Sequence, residues 1–162
     1  MSEQSVFPHS EASVLFSPPS PAVRDAVLLV ARVVLGIVLV AHGLQKFLSN
    51  GIGGTAAAFA KMGVPGAPVA AIYAAVVETV GGVLLIAGAA TSIVAVLVLL
   101  DMLGAFLFVH VTNGVFAASG GFELVAVIAA LAITLGAVGA GRWSVDAVLA
   151  KRAPAVADGA RV

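Results

Sequence analysis

The chain has 162 residues, 61% of them hydrophobic and only 10% charged, with a mean hydropathy of +1.15. Soluble domains average about 25% charged residues, so this composition reads as a single-domain integral membrane protein. Eight basic and eight acidic residues cancel, which gives no reason to expect nucleic acid as a partner, and with no cysteine the chain cannot itself carry thiolate, disulfide, iron–sulfur or Cys-zinc chemistry.

Residues 1–23 are rich in Ser and Pro, show no helical period, and are expected to form a disordered tail. The tail starts with Ser2 and Glu3 rather than a basic segment, and the apolar run behind it is too long for a cleaved signal. The first helix, predicted from Arg24 to Leu48, is therefore read as a retained anchor. Its stretch Ala26 to Phe47 is long enough to cross a bilayer, yet it carries Arg32, His42, Gln45 and Lys46. At about 100° per residue, Arg32, Gly36, Leu39, Gly43 and Lys46 fall within about 40° of one line. Two glycines on that line allow a second helix to come close, so the line is predicted to be a packing seam where both cations meet partners.

Ser49, Asn50, Gly51, Gly53 and Gly54 break the helix. A short surface helix, started by Thr55 and stopped by Gly63, should then place Phe59 and Met62 inward and Lys61 toward water. Helix two is predicted over Val69–Ala89, with Glu78 on the small-residue face of Ala71, Ala74, Gly81, Gly82 and Leu85. The four-residue link that follows allows only a tight turn into an antiparallel helix three, Ile93–Thr112. There Asp101 and His110 lie nine residues apart, or about 180° on a straight helix, so only one of them can face a shared core. The core side goes to Asp101, because it sits at mid-span. Helix four, Phe122–Val138, carries a seam from Glu123 through Ala126, Val127, Ala130, Thr134 and Ala137. Trp143 is placed at the membrane interface, and Ser144 as the cap of a last short helix.

The predicted fold is an all-α, integral membrane four-helix bundle, antiparallel up-down, with a short interfacial helix between helices one and two. The expected organisation is a disordered tail 1–23, a four-helix transmembrane domain 24–142, and a cytoplasmic tail 143–162 with a short amphipathic helix. Arg24, Arg142, Lys151, Arg152 and Arg161 lie on the side of both termini, against Lys46 and Lys61 opposite, which predicts cytoplasmic termini.

Arg32, Glu78 and Asp101 would together cost on the order of 8–10 kcal/mol if each faced lipid alone, so a buried ion-pair cluster of the three is expected. Such a cluster can be a structural clamp that fixes helix register, or a ligand or proton-handling site. Candidates for the second role are His42, Lys46, Glu78, His110 and Glu123. No metal site is assigned, and haem or metal ligation by His42 and His110 is disfavoured against interfacial hydrogen bonding. Neither Gly53–Gly54 nor Gly81–Gly82 has the residues of a phosphate loop.

The order Arg32 with Leu35 and Gly36, HGLQK ending at Lys46, KMGVPGAP, Glu78 followed by GG and LLIAG, then His110, GGFE ending at Glu123 and a closing GRWSVD resembles the DoxX family of small bacterial membrane proteins. The resemblance covers Arg24 to Leu149. It implies a four-helix bundle in the cytoplasmic membrane, with Arg32, Lys46, Glu78 and His110 as the counterparts of the family's recurrent polar residues. The family is named for its likeness to a membrane subunit of thiosulfate:quinone oxidoreductase, and its members are linked to redox and oxidative-stress functions.

The leading expectation is thus a membrane subunit of a redox assembly that holds a quinone-type molecule, with protein partners in that assembly and scope for a homo-oligomer. In it His42, Lys46 or His110 would hydrogen-bond a quinone carbonyl, and Glu78 or Glu123 would relay a proton. The alternatives are a non-catalytic membrane scaffold for soluble redox enzymes and a small-solute or proton-coupled transporter.

Overall fold

The computed structural model describes residues 18–152. The greater part of the expected N-terminal tail and the end of the C-terminal one lie outside these residues. The described chain is helical throughout its ordered elements and contains no strand. In chain order it forms α1 (Pro21–Ser49), α2 (Gly51–Lys61), α3 (Ala67–Ala87), α4 (Thr91–Asn113), α5 (Glu123–Val138) and α6 (Val145–Arg152). Helices α1, α3 and α4, of 29, 21 and 23 residues, are long and apolar enough to cross a membrane. Helix α5 is equally apolar but has 16 residues.

Helix α1 starts three residues before its predicted start because Ser20 accepts a hydrogen bond from the Val23 amide at 3.4 Å and Pro21 occupies the first turn. Proline has no amide hydrogen to lose there and its fixed φ suits the helix. Leu28, Arg32, Leu35, Gly36, Leu39 and Gly43 form the buried stripe, which takes in Arg32, Gly36, Leu39 and Gly43 of the predicted line and adds Leu28 and Leu35, while Val23, Val27, Val30, Val34 and Ile37 are exposed. An apolar outer face of this kind is covered by lipid. The buried stripe packs on α3 at a close backbone approach: a Cβ added to Gly36 would lie 2.5 Å from the Gly82 carbonyl oxygen, and one on Gly82 would lie 2.7 Å from that of Gly36.

Helix α2 begins four residues earlier than predicted, and Thr55 does not cap it. Thr55 is instead buried and donates to the Lys46 carbonyl at 3.4 Å, tying α2 back onto the end of α1. Phe59 turns inward as expected, whereas Met62 is exposed. Helix α3 buries Ala71, Ala74, Glu78, Gly81, Gly82 and Leu85, the face the small residues marked. The turn into α4 is tight, with Gly88 and Ala90 both left-handed at φ 68° and 51°.

The predicted seam on α5 is overturned. Ala126, Val127, Ala130, Thr134 and Ala137 face outward, and Val125, Ile128, Ala132 and Leu135 pack inward against α4. Bulky branched side chains filled the interface better than the alanine stripe, because α4 presents Val94, Ala95, Val98 and Met102 to them. At the α4–α5 connection, Phe106 and Phe122 meet edge to face with ring centroids 5.3 Å apart.

Candidate functional site

Two polar centres occupy opposite halves of the molecule. In the half that holds α2 and the α4–α5 connection, the Lys46 ammonium donates to Glu78 at 2.5 Å and also reaches the His42 carbonyl at 3.5 Å. Glu78 is buried and Lys46 nearly so. Asp101 approaches from α4 within electrostatic range of both, and its Oδ2 is buried without a hydrogen-bond partner. Two carboxyl groups therefore share one lysine.

These groups border a cavity of about 660 Å³. His42, Lys46, Glu78, Asp101 and His110 all line it, together with apolar side chains from α1 to α5 such as Phe59, Met102 and Phe108. The volume lies in the usual range for small-molecule sites. His110 donates from Nδ1 to the Gly120 carbonyl at 2.7 Å. A carbonyl oxygen can only accept, so Nδ1 carries the hydrogen.

Asp101 and His110 share this cavity although a straight helix would put them on opposite sides. The cause is a π turn over Phe106–His110, which rotates the helix less per residue than an α turn and swings His110 back toward Asp101. Further π turns span Gln45–Ser49 and Val77–Gly81, so Lys46, Glu78 and His110 each sit in one. Such turns cost backbone regularity and often accompany functional positions.

Glu123, the remaining candidate, does not line the cavity. Its carboxylate accepts from the Ala117 amide at 2.7 Å and holds the loop that closes the end of the bundle. Tyr73 lines the cavity unpredicted; its hydroxyl donates to the Leu97 carbonyl at 2.8 Å and links α3 to α4. Its only sequence signal was that it is the chain's single tyrosine, within a helix of small residues.

Arg32 is absent from this centre, which corrects the expected Arg32–Glu78–Asp101 cluster. It is 2% exposed and donates to the Trp143 carbonyl in the other half of the molecule. The segment after Gly139 folds back over the ends of α1, α3 and α4. There the Asp146 carboxylate accepts from the Ala90 and Thr91 amides at 2.7 and 2.9 Å, capping α4, and Asp25 accepts from the Arg142 amide at 3.0 Å. Burial alone would raise the Asp146 carboxyl, but the hydrogen bonds from Thr91 and Ala90 and the Arg32 charge outweigh it and hold it below its ordinary value. Ser144 caps α6 as predicted, accepting from the Ala147 amide at 3.2 Å. Among the described residues, no three His, Asp or Glu side chains come together as a metal site.

Apolar spanning helices around a partly polar cavity define a membrane protein with a candidate small-molecule site. Its family follows from comparison with known proteins: the DoxX profile matches residues 27–111, and the chain belongs to the DoxX family. It is 36% identical over 134 residues to the uncharacterized membrane protein Rv3486 of Mycobacterium tuberculosis, covering 76% of this chain and 82% of that one. It is 42% identical over 81 residues to a Bacillus subtilis protein named "Putative oxidoreductase CatD", covering 50% of this chain and 58% of that one. No solved structure matches.

Proposed function

We propose that this protein is a membrane subunit of a redox or oxidative-stress assembly and that it binds a quinone-type molecule in the cavity beside Lys46 and Glu78. The observation that carries the reading is that one cavity, otherwise apolar, gathers His42, Lys46, Glu78, Asp101 and His110 from three helices. An apolar ring and tail fit the walls, while the polar groups orient an oxygen-bearing head. Lys46 has a hydrogen left for a ligand oxygen after serving Glu78 and His42, and Glu78 with Asp101 forms a short carboxyl relay for a proton. The name of the Bacillus subtilis relative supports a redox setting.

The reading includes a fourth span. Helix α5 is about 24 Å long at 1.5 Å per residue, short of the roughly 30 Å hydrocarbon core, and its flanking Phe122 and Trp143 would anchor the difference. Four spans put both termini on one side, the cytoplasmic one by the distribution of Arg and Lys, in the bacterial cell membrane. Soluble redox enzymes, and a second copy of the chain, are the expected protein partners.

The test is gentle extraction of wild type and Glu78→Gln from native membrane, with mass spectrometry of bound lipids and proteins. A stoichiometric quinone in wild type that is lost from a still-assembled Glu78→Gln supports the site. Partner enzymes retained by both, with no quinone in either, would replace this reading with that of a scaffold.

A further inference from the structure

The cavity has an open end and a sealed one. At its rim stand Val64 and Pro65, between α2 and α3, and Ala117 and Gly120 of the α4–α5 connection; Pro65, Ala117 and Gly120 are exposed. His110 and Asn113 both donate to the Gly120 carbonyl, at 2.7 and 3.3 Å, and fix that side of the rim. The opposite end is closed by apolar packing. Leu35, Leu85, Val94, Val98 and Leu135 are at most 3% exposed, belong to one core and do not line the cavity. In the half beyond them, Arg32 donates to the Trp143 carbonyl beside Gly88 and Ser144.

The charged groups of the cavity lie on the open side of that core. The side chains of Lys46 and Glu78 keep 17% and 8% of their surface accessible. Asp101 Oδ2 is shut away, and Asp101 is hydrogen-bonded to Glu78, so a proton reaches or leaves Asp101 by way of Glu78. The other titratable groups that face the space are His42 from α1, Tyr73 from α3 and His110 from α4, while α2 and α5 present only apolar side chains such as Phe59 and Val125. Charge in an apolar surrounding is costly without water or a partner, and here water has a way in from one end only.

We propose that the cavity is a one-sided aqueous vestibule, through which the Lys46–Glu78–Asp101 centre exchanges protons with the compartment beyond α2 and the α4–α5 connection and not with the one beyond Trp143. In release, the carboxyl O–H bond breaks at Glu78, the proton passes to a water oxygen in the vestibule, and the pair gains one negative charge beside Lys46. Uptake is the reverse. The inference goes beyond the quinone reading, because it concerns the route of water and protons and holds for any occupant.

The test exploits the absence of cysteine, which makes every introduced thiol a single probe in the full chain. Membrane vesicles of each orientation are treated from outside with a membrane-impermeant cationic methanethiosulfonate, with Lys61→Cys and Lys151→Cys marking the two faces. Two variants probe the cavity wall. Gly104→Cys has room for its side chain, and Met102→Cys sits beside Asp101. Both should react about tenfold or more faster when the Lys61 face is outside, whereas Val98→Cys should react from neither face. The thiolate is the reactive form, so a rise of about one pH unit on the Lys61 face should speed Met102→Cys up to about tenfold, and the same rise on the Lys151 face should leave it unchanged. Reaction of both wall variants from the Lys151 face, from both faces alike or from neither would overturn the one-sided vestibule. A Met102→Cys rate that follows the pH of the Lys151 face, or of neither face, would overturn the proton route. Finding no quinone in extracted protein would remove the ligand reading and leave these outcomes as they stand.

Discussion

The two halves of the bundle treat buried charge in opposite ways. Around Arg32 the surroundings are closed: the guanidinium donates to the Trp143 carbonyl, Asp146 acts on it only through its charge, and at the Gly88 turn a Cβ would collide with the guanidinium and with Ser144. Around Lys46 the partners, the Glu78 carboxylate and the His42 carbonyl, belong to residues that border open space. The first arrangement holds chain segments together and leaves no room for a ligand. The second spends stability on two carboxyl groups with one cation, which is a poor clamp and a usable site. The contrast teaches that an intramembrane charge should be judged by what surrounds its partner, since both centres look alike as a count of buried ionisable residues.

The sharpest way to break this comparison is to remove the cation of the open centre. Lys46→Met leaves Glu78 and Asp101 facing each other with no positive charge, and should cost about 3–5 kcal/mol of stability in a detergent denaturation series. Adding Glu78→Gln should recover part of that loss, because it removes one of the stranded charges. If Lys46→Met is as stable as wild type, the pair is not a buried charge centre of this kind.

A smaller loss is expected at the closed centre. Arg32→Met removes a charge-assisted hydrogen bond to Trp143 but also relieves the buried Nε and Nη1, which lack partners. The net cost should be on the order of 1–2 kcal/mol. Ligand binding in the cavity should be unchanged, and a large binding defect in a folded Arg32→Met would show that the two centres are coupled.

An effect of similar or smaller size belongs to Asp146. Asp146→Ala should cost about 0.5–2 kcal/mol, the value of a lost helix cap, and should raise hydrogen exchange across Val145–Arg152 and at Ala90 and Thr91. The pH dependence has a fixed sign. A carboxyl held below its ordinary value in the folded protein contributes stability that is complete above its unfolded pKa of about 3.9 and is lost as pH falls through the lower folded value. Protection factors in α6, taken against the intrinsic exchange rate at each pH, should therefore fall on acidification below about pH 4 in wild type and stay level in Asp146→Ala.

Much of the architecture was legible because spanning helices obey local rules. Length and apolarity marked α1, α3 and α4, and the 3.6-residue period placed Gly36, Gly43 and Arg32 of α1 on one buried stripe. Glu78 was readable as inward-facing from its small neighbours, and Ser144 as a cap from its position before a polar helix. The same rule misled on α5, where small residues face out. An alanine stripe permits close packing but does not compel it when Val125, Ile128 and Leu135 offer more surface to bury on the other side.

What the sequence determined by itself is the set of buried charges and the helices that carry them into the membrane, since composition and period are properties of neighbours along the chain. Which charges meet was decided only in three dimensions. Arg32 finds its carbonyl 111 residues away because the chain turns back after Gly139, and no periodicity encodes a fold-back. Asp101 and His110 share a cavity because a π turn changes the helical phase between them, which a straight-helix projection cannot contain. The pairing of Lys46 with Glu78, rather than Arg32 with Glu78, follows from where α1 crosses α3. Along that crossing Gly36 lies against Gly82 and Gly43 against Thr79, close contacts that small residues permit and that do not depend on charge.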